Sequence, residues 1–242
     1  MHNKSIQEKS IYRFQPVESR LSPWLTPLAY FLGRRMVVPN FFGKITITGQ
    51  GYIPTEGPVI LAPTHRSRWD ALLLPYATGR HVSGRDLRFM VTADEVKGVQ
   101  GWFIRRLGGF AVNVHRPSIA TLRHGVDLLR QGEMIVIFPE GGIFRGEEVR
   151  SLKPGLARMA LQAEASSLDL GVSIIPVSLH YNQSCPAWGT DVEIVIGKPL
   201  KVVRYKAGCT KDNARQLTQD LHQALSGLNA TREPMPLMAA SA

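Results

Sequence analysis

The sequence predicts a single α/β domain, a mostly parallel sheet flanked by helices. Three observations lead to it. Short apolar runs bounded by turn residues alternate with stretches of helical periodicity along most of the chain. Strand–helix alternation of that kind builds a parallel sheet with helices on its faces. Finally, the 242 residues, 44% hydrophobic and 20% charged, suffice for one buried core and are marginal for two. No internal repeat and no linker divides them. The expected organisation is an N-terminal segment over residues 1–43, the domain over 44–229, and a frayed, proline-containing tail over 230–242.

Residues 24–42, WLTPLAYFLGRRMVVPNFF, form the most apolar stretch. Pro27, Arg34, Arg35 and Pro39 interrupt it, so it falls short of the roughly 20 apolar residues that cross a bilayer. One or two short helices with an arginine pair at their junction are expected. They suit either a membrane interface or a hairpin packed on the core. Residues 44–48 alternate and predict a strand, and residues 52–58 carry turn chemistry in Pro54, Gly57 and Pro58. A buried strand is expected over 59–62, ending at Pro63, then a helix over 69–77. A strand over 87–91, a short helix over 101–107 and a strand over 110–114 follow. Pro117 is expected to open a helix whose apolar residues Ile119, Leu122, Val126 and Leu129 recur at helical spacing, with Gly132 closing it. MIVIF, residues 134–138, reads as a strand. The next helix starts near Pro154, with Leu156, Met159, Ala160 and Ala163 on one face. Strands over 172–179 and 192–196 precede a final helix over 211–228.

The net charge of +10 favours anionic partners: anionic lipid, an acidic carrier protein or nucleic acid. No motif supports nucleic acid. The two cysteines, Cys185 and Cys209, form no CxxC pair and suggest no disulfide framework, which fits a reducing compartment. Residues 1–15 are polar and lack the apolar core of a signal peptide. The motifs GxxxxGK[ST], GxGxxG, GxSxG and HExxH are all missing, and the seven histidines lack metal-ligand spacing. Neither a metal nor a resident cofactor is expected.

In open α/β folds, sites lie in loops beyond the carboxyl ends of strands. Three loops qualify. The first, THRSRWD, runs from Thr64 to Asp70. There His65 can take a proton from an attacking hydroxyl, and a carboxylate near the helix start, Asp70, can fix its tautomer. Ser67 and Asp70 also have the spacing of a capping box, so Asp70 can serve either role or both. A second His-x4-Asp, His81 and Asp86, lies in a polar loop with no buried strand before it, so spacing alone decides nothing. The second loop, PEGGIFRGEEVRSLKPG, follows MIVIF. Gly141 and Gly142 let backbone approach a ligand. Glu140 can meet a ligand hydroxyl, and Arg145, Arg150 and Lys153 offer positive charge for a phosphate. The third, Val114 to Ser118, follows the strand in GGFAVNVHR and carries His115 and Arg116, of which Arg116 can hold a phosphate.

Taken in order, these elements resemble the lysophosphatidate acyltransferase family. The resemblance rests on His65, Ser67 and Asp70; Gly108 to Arg116; Phe138, Pro139, Glu140 and Gly141; and Ile175, Pro176 and Val177, across residues 59–181. It implies a glycerolipid-acyltransferase-like fold whose domain over 44–229 moves a fatty acyl group from a thioester to the sn-2 hydroxyl of 1-acyl-glycerol-3-phosphate, giving phosphatidic acid. It implies His65 as base and Asp70 as its partner. Ser67, Arg116, Glu140, Gly141, Gly142, Arg145 and Lys153 are then expected around the acceptor, and Pro176 in the acyl pocket. The partners are a lysophospholipid, acyl-CoA or acyl carrier protein as co-substrate, and an anionic membrane surface reached through amphipathic helices near residues 22–42. Peripheral or monotopic attachment is implied. The chain departs from the pattern at Thr64, in a longer glycine–arginine segment, and after Glu140–Gly141, where Gly142 and Ile143 stand in place of threonine and arginine. The altered phosphate elements keep other acceptors open: glycerol-3-phosphate, another lysolipid or a glycolipid precursor. A non-catalytic lipid-binding protein is the remaining alternative.

Overall fold

The computed structural model describes residues 19–113, 117–206 and 208–230. Eight strands form one sheet in the order β1-β7-β6-β2-β5-β3-β4, with β8 beside β6. They are β1 (Ile45–Thr48), β2 (Val59–Pro63), β3 (Leu87–Thr92), β4 (Gly109–Val112), β5 (Met134–Val136), β6 (Ser173–Tyr181), β7 (Val192–Ile196) and β8 (Leu200–Lys201). From β6 through β2, β5 and β3 to β4 every pairing is parallel. Antiparallel pairing enters where β6 meets β7 and β8. The mostly parallel α/β domain expected from the sequence is therefore present.

β2 and β5 are apolar at every position because both sheet faces are covered. Successive side chains point to opposite faces. Ile60, Ala62, Ile135 and Ile174 join a core built with α6 (Ile119–Arg130), α7 (Gly155–Ala165) and α8 (Thr210–Ala230). Val59, Leu61, Met134, Val136, Ile175 and Val177 join the other core, closed by α3 (Asp70–Thr78) and the N-terminal helix. In α6 the first helical residue is Ile119, two positions beyond the expected Pro117. The Ser118 hydroxyl accepts the Thr121 N–H at 3.1 Å and makes Ser118 the cap, so Pro117 precedes the helix.

Residues 25–41 do not break into separate helices. α1 (Leu25–Leu32) passes through a π turn (Gly33–Val37) into α2 (Val38–Phe41). The Val38 N–H donates to the Gly33 carbonyl five residues back. Pro39 follows at once. Its ring would crowd the Arg35 carbonyl in a regular α-helix, and widening the turn relieves that clash. Among the described residues no helix is long and apolar enough to cross a membrane.

The parallel strands direct their carboxyl ends to one edge of the sheet. β2 leads there into residues 64–70, and β5 into residues 137–154. α4 (Arg80–Ser83) and α5 (Gly98–Arg106) complete the helices.

Candidate active site

Two loops meet at that edge. Thr64 anchors the first to β6: its N–H donates to the Val177 carbonyl at 2.9 Å, and its hydroxyl accepts the Leu179 N–H at 2.9 Å. The next side chain, His65, is thereby fixed at the strand end. His65 Nδ1 lies 2.8 Å from Asp70 Oδ2. A hydrogen bond to a carboxylate puts the proton on Nδ1 and leaves Nε2 unprotonated, able to act as a base. The imidazole stacks on Phe138, centroids 3.8 Å apart, and its side chain is 17% exposed.

Asp70 is wholly buried. Its Oδ2 also accepts the backbone N–H groups of Arg66 at 2.7 Å and Ser67 at 3.0 Å, and its Oδ1 accepts the Tyr181 hydroxyl. One carboxylate thus closes the helix start and orients His65, so the two roles open in the sequence coexist. Burial, followed by the Asp70 charge, pushes the Tyr181 phenol far above its ordinary value. The phenol therefore stays a proton donor to Asp70.

The second loop is held by an ion pair that the sequence did not single out. Arg66 Nη1 donates to Glu140 Oε1 at 2.9 Å and Oε2 at 3.2 Å, and both side chains are buried. Arg66 also donates to the carbonyls of Phe144 at 3.1 Å and Glu148 at 3.2 Å. Glu140 in turn accepts the N–H groups of His65 at 3.2 Å and Arg150 at 3.0 Å. The Phe144 N–H donates to the His65 carbonyl at 2.8 Å.

A cavity of about 620 Å³ opens beside these loops. That size lies within the roughly 300–1,000 Å³ of small-molecule sites. His65, Gly141, Gly142 and Lys153 line it at the loop end, while Leu72, Phe89, Ile137, Leu156 and Met159 make its wall largely apolar. The structure therefore brings four of the expected site residues to one space. Other expected positions differ. Glu140 is turned inward and saturated by Arg66 and two backbone donors, so it braces the loop where a ligand contact was expected. Ser67 is buried, and its hydroxyl accepts the Trp69 N–H at 3.3 Å. Arg145 is exposed and does not line the cavity, because the loop past Ile143 is drawn toward Arg66. Pro176 does not line it either. It lies within β6 on the face toward α8, beside Gly197 and near Leu228. Arg116 lies outside the described residues. The second His-x4-Asp is no dyad: Asp86 is engaged by the Arg80 guanidinium.

Sequence reasoning missed Arg66, Phe138 as a stacking partner, and Tyr181. Arg66 reads inside THRSRWD as one more loop charge of the kind that is usually solvated. Tyr181 is 111 residues from Asp70, and only the β2–β6 pairing brings them together. Among the described residues no group of three His, Cys, Asp or Glu could hold a metal ion.

The buried phenols have a consequence at high pH. Burial holds Tyr30 as well as Tyr181 well above the free value of 10.0. Tyr205, desolvated and bonded to Asp220, is pushed up to about 12. Unfolded tyrosine loses its proton above about pH 10 while these stay protonated, so the native state then binds more protons. The phenols' contribution to stability is fully present below pH 10 and is lost progressively above it. Each of the two buried phenols contributes up to about 1.4 kcal/mol per pH unit. Melting temperatures followed from about pH 9 to 11 should decline above 10, and Tyr181→Phe should flatten the decline.

An orienting carboxylate, an imidazole base and a mostly apolar cavity are the parts an acyl transfer to a hydroxyl requires. The acyltransferase family model matches residues 44–180. This chain belongs to the acyltransferase family. Glycerol-3-phosphate acyltransferase 1, mitochondrial, of Homo sapiens is 27% identical over 214 residues, covering 82% of this acyltransferase and 25% of the human protein. A 1-acyl-sn-glycerol-3-phosphate acyltransferase of Chlamydomonas reinhardtii is 26% identical over 189 residues, 76% of this chain and 53% of the algal one. The chain thus spans about a quarter and about half of these two relatives. The crystal structure of the 1-acyl-sn-glycerophosphate acyltransferase PlsC of Thermotoga maritima superposes with a TM-score of 0.65 at 20% identity, over 87% of this chain and 81% of that one. That likeness establishes a shared fold.

Proposed function

We propose that this acyltransferase transfers a fatty acyl group from an acyl thioester to the sn-2 hydroxyl of 1-acyl-glycerol-3-phosphate, giving phosphatidic acid at a membrane surface. The observation that supports this most is the Asp70-oriented His65 at the wall of a largely apolar cavity that also receives Lys153. His65 Nε2 takes the acceptor proton as the hydroxyl oxygen attacks the thioester carbonyl. Collapse of the tetrahedral intermediate breaks the C–S bond, and the thiolate leaves with the proton that His65 holds. Gly141 gives its N–H to the Phe138 carbonyl at 3.2 Å, which leaves the Gly142 amide as the candidate donor to the developing oxyanion. The Lys153 N–H is tied to the Pro139 carbonyl at 2.8 Å, which holds its backbone beside the glycine turn and makes its ammonium the candidate partner of an acceptor phosphate. The donor is acyl-CoA or acyl carrier protein.

The human relative's name makes glycerol-3-phosphate the competing acceptor. The test is a labelled acyl-transfer assay, run with acyl-CoA and with acyl carrier protein as donor, with 1-acyl-glycerol-3-phosphate and glycerol-3-phosphate in parallel. The expected result is labelled phosphatidic acid, at a rate at least about tenfold above that with glycerol-3-phosphate, because only the lysolipid can bury an acyl chain. Faster acylation of glycerol-3-phosphate would replace the acceptor, and silence with both acceptors and both donors would sink the enzymatic reading.

A further inference from the structure

α5 presents an unusual surface. Gly101 and Ile104 face inward: a Cβ on Gly101 would lie 2.4 Å from the Val96 backbone, and Ile104 packs onto Gly109. The other large apolar residues of α5 face out. Val99 is 76% exposed, Trp102 42% and Phe103 44%. These three and Arg106 stand at i, i+3, i+4 and i+7, one stripe of the helix. The Arg106 guanidinium lies 4.6 Å over the Trp102 ring, and Arg105 is exposed beside it. The end of α5 is joined to the segment that enters α1. Leu21 and Leu107 form a β-bridge, and the Arg20 and Ser22 N–H groups donate to the Arg105 and Arg106 carbonyls, both at 2.9 Å. α1 in turn exposes Phe31 (59%), and Trp24, its N-cap, is 61% exposed. Ala29 and Gly33 line the cavity from one side, Gln100 and Ile104 from the other.

We infer that α5 is a second membrane-docking helix, which seats Val99, Trp102 and Phe103 in an anionic bilayer interface beside the N-terminal helix so that the cavity opens onto lipid. The inference rests on the membrane reading given above and extends it to a separate element. Charge complementarity selects the occupant. Aromatic rings rimmed by arginines match the acyl–headgroup boundary of an anionic leaflet. A second copy packed about a two-fold axis would bring Arg105 and Arg106 near their own equivalents and repel. Two docking elements joined at residues 20–22 and 105–108 also fix an orientation, which a single helix does not.

The test uses the full chain and vesicles of phosphatidylcholine and phosphatidylglycerol. Trp102→Ser/Phe103→Ser should lower vesicle partition by about 10- to 100-fold, with turnover on detergent-dispersed substrate unchanged. An environment-sensitive dye at Val99→Cys, with Cys185→Ser and Cys209→Ser, should brighten on adding vesicles. Trp24→Ser/Phe31→Ser is the comparison. If that pair releases the protein while the α5 pair binds like wild type, the inference fails and the membrane reading survives. If wild type ignores the vesicles, both fail. A dye already shielded without lipid, or a sedimentation change in the α5 variant without lipid, would assign the face to protein and overturn the inference.

Discussion

His65→Ala is expected to lower acyl transfer by about two to four orders of magnitude while leaving the protein folded. The imidazole is the one group at the cavity wall whose proton-accepting nitrogen is set by a buried carboxylate. Its removal takes away the base and leaves the four-bond shell of Asp70 short of a single member. The backbone donors at Arg66 and Ser67 and the Tyr181 hydroxyl keep the loop in place. A melting temperature near wild type with activity lost is therefore the signature. Asp70→Asn should behave differently. An amide has one acceptor oxygen for a site that receives four donors, so at least one buried N–H goes unpaired and stability falls along with rate. Single-turnover rates measured beside thermal unfolding for both variants separate base from brace. Activity retained in His65→Ala would remove His65 from the chemistry altogether.

Much of the fold and part of the site could be read directly. The apolar runs over β2, β5 and β6 announced strands covered on both faces, and His65, Asp70, Gly141, Gly142 and Lys153 stood in the loops such a sheet places at its active edge. What stayed hidden has physical causes. Charged residues in loops are usually solvated, so nothing singled out Arg66, and Glu140 read as a ligand contact; only the folded chain shows that each is the other's buried partner across 74 residues. The orientation of Arg145 depends on where that pair pulls the loop, which spacing does not encode. Pro176 shares its strand with residues of the opposite core, and the two-residue period of β6 sends it toward α8. The π turn before Pro39 is a local answer to a clash that hydropathy does not register.

The largest loss of stability is expected at the Arg66–Glu140 pair. Arg66→Ala should cost about 3–5 kcal/mol, because it strands a buried carboxylate rather than merely deleting a contact. For a domain of this size that is a fall of roughly 10 °C in melting temperature. Glu140 would keep only the His65 and Arg150 N–H groups, and the Phe144 and Glu148 carbonyls would lose their guanidinium. Activity should fall too, since the same loop carries Gly142 and Lys153. The double variant Arg66→Met/Glu140→Leu tells the pair from its surroundings. It removes both buried charges at once, so the stranded-charge penalty vanishes and part of the stability returns. Recovery is incomplete because the His65 and Arg150 donors are left without Glu140. Urea unfolding of the two single variants and the double closes the cycle. A double variant less stable than the sum of the singles would show that the pair was not the strut that joins the base-bearing loop to the glycine turn.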